Sequence, residues 1–240
     1  MLDVHPPHAP THTWKDFFIH VGTICVGLLI AVGLEQTVEA IHRAHERHAL
    51  IAAVHAECDE NLKSLDSIVA TESTLSDYQR AAIVALRDAK QQADFVIVTM
   101  PHRGELRGGH SPAHGVWTAA RASGKIGLLD ENLAQVYDRL DFQAAQFDET
   151  LAPSNEARAR LVYFNLRNNL NISPDATVRM KLAQRDELQV LFTDLAIASD
   201  ARGGWAVEWQ GATRAVLAGV SNRHDIFPYL HQAYAESQRN

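Results

Sequence analysis

A chain of 240 residues, 46% of them hydrophobic, has enough apolar surface to bury a core, which excludes a disordered tail. The formal charge of −7 and the lack of a basic run with interleaved aromatics exclude nucleic acid as a partner. Two cysteines, Cys25 and Cys58, are too few for a disulfide scaffold, while thirteen histidines crowd the first 55 residues and the stretch from His102 to His114.

After an N-terminal tail over 1–16, the first element is FFIHVGTICVGLLIAVGL, Phe17 to Leu34, a stretch without a formal charge. As a helix it spans roughly 27 Å, close to the ~30 Å hydrocarbon core of a bilayer, which predicts a single transmembrane helix over 17–34. Trp14 and Lys15 before it and Glu35 and Gln36 after it are residues suited to the two interfaces. A cleaved signal peptide is the competing reading, with Ala31-Val32-Gly33 as its exit, but no Lys or Arg occurs before Lys15 to form a basic leader. Gly27 and Ala31, four residues apart, present a small surface on which two membrane helices approach closely. Lys15 on one side against Arg43 and Arg47 on the other favours a cytoplasmic C-terminal part.

No Gly or Pro occurs from Leu34 to Thr99, so the membrane helix is predicted to continue as a stalk over 35–72. Leu34, Thr37, Ile41, Ala44, His48, Ile51, His55, Cys58, Leu62, Leu65 and Val69 alternate in steps of three and four, the seam of a coiled coil. Gly27, Ala31, Ile41, Ile51, Leu62, Leu65 and Val69 are therefore the residues expected to carry assembly, either into a homo-oligomer or with other membrane-protein subunits. Within the stalk, HERH at His45 to His48 misses the HExxH zinc signature by one residue. His45 with His48, and His55 with Cys58, are i, i+3 pairs that each offer two metal ligands, and His42, His45, His48 and His55 together suit a pH-responsive stalk. Solvated interfacial histidines are the plainer reading, and no metal or cofactor is expected.

The remainder, 73–240, reads as an α-helical domain with a loop over 100–116. Leu75 to Val98 is predicted as a second helix turning back on the first, with Phe95 to Thr99 (FVIVT) as its end or an extended exit. Met100 to Gly115 is loop by its Gly and Pro content; its His102, His110 and His114 are the place for a tethered hydrolase site, and its GELRGG lacks the lysine of a phosphate loop. Leu129, Leu133, Val136, Leu140, Ala144, Phe147 and Leu151 predict an amphipathic helix opening at Asp130 and Glu131 and broken by Pro153-Ser154. Helices are then expected from Glu156 to Leu170 and, capped by Ser173-Pro174, from Asp175 to Ser199. Gly203-Gly204 punctuates; Trp205, Trp209, Ala212, Val216 and Val220 form a further stripe, and Ile226 to Tyr234 a terminal helix. Trp117, Trp205 and Trp209 are expected in the core.

VGLLIAVGLEQ in the span, AECDENLKSL in the stalk and WTAARASGKIGLLDENL at Trp117 to Leu133 resemble a group of bacterial single-pass membrane proteins in which a GILIAL-like span precedes a helical domain. The resemblance implies a bacterial inner-membrane anchor and transfers no catalytic residue. With no nucleophile elbow, P-loop, dinucleotide fingerprint or CxxC pair, the expectation is an all-α, non-enzymatic protein anchored in the lipid bilayer.

Overall fold

A computed structural model describes residues 14–108 and 110–239. The expected tail over 1–16 therefore falls largely outside the described residues, and Trp14 to Asp16 are already helical. The chain is all-α, with α1 at Trp14–Asp88, α2 at Gly115–Ala122, α3 at Glu131–Glu149, α4 at Leu151–Asn168, α5 at Leu182–Leu217 and α6 at Phe227–Ser237. A small antiparallel sheet adds β1 at Gln91–Gln92, β2 at Phe95–Thr99 and β3 at Thr177–Lys181. It divides at Ala49 and Leu50 into two units.

In the first unit every residue from Trp14 to His45 is exposed, including Phe17 at 57% and Leu29 at 72%. One helix among the described residues is thus long and apolar enough to cross a membrane, its best window having a mean hydropathy of 2.3 and nothing buried. Hydroxyls inside it are returned to the helix: Thr23 Oγ1 donates to the Ile19 carbonyl at 2.9 Å and Thr37 Oγ1 to that of Gly33 at 2.7 Å.

In the second unit α1 keeps going. The absence of Gly and Pro lets the helix run to Asp88, so the predicted break near residue 73 and the separate helix from Leu75 do not form. Residues 50–72, expected in a stalk, belong to this compact unit. Their buried face is Leu50, Val54, Cys58, Asn61 and Leu65, continued by Glu72, Ser76, Gln79, Ala82 and Leu86. It shares Cys58 and Leu65 with the predicted seam but is rotated from it, because Asn61 and Glu72 are polar residues on the inward face while Ile51 and Leu62 flank it half-buried.

FVIVT is a true strand. Its partner lies some eighty residues downstream: Phe95 pairs with Lys181, Ile97 with Arg179 and Thr99 with Thr177. Val96, Val98, Val178 and Met180 point into the core, while Arg179 lies 3.6 Å over the outward Phe95 ring. The helix predicted from Asp175 therefore begins only at Leu182. Ser173-Pro174 serves a turn instead, with Ala176 N–H donating to the Ser173 carbonyl at 3.1 Å and Asp175 at a φ of 63°.

Asp130 caps α3 as expected, accepting from the Leu133 amide at 3.0 Å. The break after it falls at Thr150, and Pro153 is tolerated in the first turn of α4. Gly203-Gly204 does not interrupt α5. An added Cβ on Gly203 would lie 3.4 Å from Glu72 Cβ, an ordinary contact distance, so α5 runs beside α1 here.

Two hydrophobic cores result. One gathers Leu50, Val54, Cys58 and Leu65 with Trp117, Tyr137, Phe147, Trp209 and Ile226. The other gathers Ala82 and Leu86 with the strands and with Phe164, Leu188, Phe192 and Leu195. Trp117 and Trp209 are buried and Trp205 packs against the first core half-buried.

Candidate functional site: a polar layer between two cores

Between the cores the facing residues of α1 and α5 turn polar. Ser76 Oγ donates to Asp200 Oδ1 at 2.6 Å, the Arg80 guanidinium pairs with the same carboxylate, and Gln79 Nε2 donates to Ser199 Oγ at 3.3 Å. At the centre is Glu72, whose side chain is 6% exposed. Its Oε1 meets Arg202 Nε at 3.3 Å and Arg158 Nη2 at 3.7 Å. Arg202, 14% exposed, is held from below by the Phe147 ring at 4.0 Å and donates from Nη1 to Thr150 Oγ1 at 3.3 Å.

Burial outweighs the ion pair on both partners. It pushes the Glu72 carboxyl above its ordinary 4.5, with Arg158, Ser199 and Arg202 pulling it back. It also pulls the Arg202 guanidinium down, against the carboxylate of Glu72 and alongside the repulsion of Arg158. Glu72 Oε2 and Gln79 Oε1 are buried with no hydrogen-bond partner.

Glu72 also lies in the wall of a cavity of about 220 Å³ that is lined by Ser67, Thr71, Arg107, Ser154, Arg158 and Arg202. An open cleft of about 810 Å³ continues past Arg107 between Asp66, Asp77, Glu105, Arg214 and Glu236.

The loop from Met100 to His114 is laid along α1 by side chains about one helical turn apart. Thr71 Oγ1 and Ser67 Oγ donate to the carbonyls of Arg107 and Gly108, each at 2.8 Å. Asn61 brackets Ala113 through its amide, and Glu57 accepts from the Val116 amide at 3.1 Å, at the start of α2.

That ladder disperses the loop histidines. His102 Nδ1 contacts Asp175 Oδ2 at 2.9 Å, His114 Nε2 contacts Asp148 Oδ2 at 2.8 Å, and His110 is exposed. In the first unit His45 Nδ1 returns to the Ile41 carbonyl at 3.0 Å, His42 lies 3.9 Å from Glu46, and His48 is exposed. His55 is half-buried and Cys58 is sealed in the first core, where burial above all pushes its thiol up to about 12. No group of three or more His, Cys, Asp or Glu suited to a metal occurs among the described residues.

Of the expected assembly residues, Gly27, Ala31 and Ile41 are exposed. Leu65 is at 0% exposure inside its own chain's core, and Ile51, Leu62 and Val69 are half-buried, with Val69 packed against the same core. Glu72, Arg158 and Arg202 were not legible from the sequence as a site. The one local sign is a glutamate at an inward position of α1 in register with Leu65 and Cys58. Models of known protein families, curated proteins and solved structures offer no match to this chain.

Proposed function

We propose that this chain is a non-enzymatic, membrane-anchored helical protein of the bacterial inner membrane, crossing once through Phe17 to Leu34 with the second unit on the cytoplasmic side. Its role in this reading is assembly, as a homo-oligomer or as an accessory subunit of a membrane complex. The supporting observation is the complete exposure of an apolar stretch from Phe17 to Leu34, which in water would be an aggregation site and in lipid is satisfied. The resemblance to single-pass bacterial proteins points the same way.

With Leu65 committed to the core, the surface left for assembly is Gly27, Ala31 and Ile41, all exposed. Close approach at the small residues inside lipid and apolar contact at Ile41 outside it supply the contacts. Native mass spectrometry in mild detergent tests this reading. Multiples of the 26.6 kDa chain, or further subunits bound to it, are expected, and Gly27→Leu with Ile41→Asp should shift the population to the single chain. A single chain from the outset, with nothing bound, would contradict the role in assembly.

A further inference from the structure

The polar layer has more positive charge than it uses. Three arginines, Arg107, Arg158 and Arg202, are among the residues that line the 220 Å³ cavity, against one acidic residue, Glu72. Arg202 and Arg158 share that carboxylate, and Arg107 forms no ion pair among the described residues. The site also has an unmet acceptor, because Glu72 Oε2 is buried without a donor. The Ser67, Thr71 and Ser154 hydroxyls in the same wall donate to backbone carbonyls, so their oxygens are left to accept.

We propose that this cavity binds a small oxyanion that itself carries a proton, of the size and chemistry of hydrogen phosphate. Guanidiniums recognise tetrahedral oxyanions by charge-assisted hydrogen bonds, and three arginines set against Glu72, with Asp148 also acting on Arg202, leave a net positive site for an anion. A carboxylate in the wall repels an anion that has no proton and accepts a hydrogen bond from one that does. The volume lies below the roughly 300–1,000 Å³ of ordinary small-molecule pockets, which suits an ion of a few heavy atoms. The loop is pinned over the cavity by Thr71 and Ser67, which places Arg107 at its rim. This site lies wholly within the second unit, and its test is independent of how the chain is anchored.

The arrangement dictates a selectivity. Phosphate keeps at least one proton at pH 7 and sulfate keeps none, so Glu72 should admit the first and reject the second. The experiment is isothermal titration of the full chain in detergent at pH 7 with sodium phosphate and with sodium sulfate at matched ionic strength. Saturable phosphate binding is expected, with sulfate at least tenfold weaker. Arg107→Gln, a change at an exposed loop residue, should weaken phosphate about tenfold, the worth of one charge-assisted contact. Glu72→Gln, whose amide donates to either anion, should bring sulfate to within a few-fold of phosphate. No saturable phosphate binding, equal affinity for the two anions in the unaltered chain, or an unchanged affinity in Arg107→Gln would each overturn the proposal.

Discussion

Leu65 separates a core residue from an interface residue, and the two roles predict opposite results for one substitution. Its side chain is at 0% exposure among Leu50, Val54, Cys58, Trp117 and Trp209 of its own chain. Truncating a fully buried leucine to alanine removes its transfer free energy and leaves a cavity, together about 2–5 kcal/mol. For a unit of this size each kcal/mol moves the melting midpoint by about 2–4 °C, so a central loss of about 3 kcal/mol corresponds to about 6–12 °C. Ile197→Ala is the control: at 62% exposure and outside the proposed assembly surface, its effect should stay within about 0.5 kcal/mol. The assay is thermal unfolding of the full chain in mild detergent, followed by near-ultraviolet circular dichroism, which reports on the packed Trp117 and Trp209. Native mass is recorded for the same samples. A Leu65→Ala chain that melts with the unaltered one but loses its oligomeric partners would refute the core assignment and restore Leu65 to an assembly seam.

Three further outcomes follow from the packing and the charges. A Cβ on Gly211 would lie 2.9 Å from Leu230 Cα and 3.0 Å from the Tyr229 carbonyl oxygen, so Gly211→Ala should destabilise by about 1–3 kcal/mol, whereas Gly204→Ala, facing open space in the same helix, should stabilise by about 0.5–1 kcal/mol. Urea midpoints in the reverse order would contradict the α5–α6 contact. Glu72, raised above 4.5 by burial, keeps in the folded chain a proton that the unfolded chain has released, so stability falls as pH rises through that window. The stability of the unaltered chain relative to Glu72→Gln should therefore be highest below pH 4.5 and decline as pH rises above it through the raised value of the folded chain; a difference that grows with pH would refute it. In a Cys25→Ser background, Cys58, with its thiol pushed up to about 12, should resist a thiol reagent at pH 8 until denaturant is added, and rapid labelling of the folded chain would contradict its burial.

The apolar helix over Phe17 to Leu34 and its continuation past Leu34 were legible because their signals are local, an uncharged apolar run and then no helix breaker, whereas the run on from residue 73 to Asp88 reads wrongly as a second helix. The inward face of α1 was harder to read. Asn61 faces inward to bracket Ala113, Glu72 to meet Arg202 and Gln79 to meet Ser199, so the buried stripe includes polar residues whose partners lie far along the chain. Apolarity alone favoured Ile51 and Leu62. Phe95–Thr99 reads as a helix end or an extended exit for the same reason, although the alternation of Val178 and Met180 with Thr177, Arg179 and Lys181 marks its partner strand. Gly203-Gly204 reads as punctuation locally, yet both residues lie inside the continuous helix α5. The polar layer combines residues from α1, the loop, α4 and α5, a convergence that no window of sequence contains.

The central claim is that Phe17 to Leu34 is a retained membrane anchor. The most direct test is alkaline carbonate extraction of membranes from cells expressing the full chain, with the intact mass of the retained protein measured in the same preparation. The account predicts a protein that stays with the lipid and keeps residues 17–34, and a variant lacking 14–34 that is released. Full release by carbonate, or a retained species cut after Gly33, would contradict it.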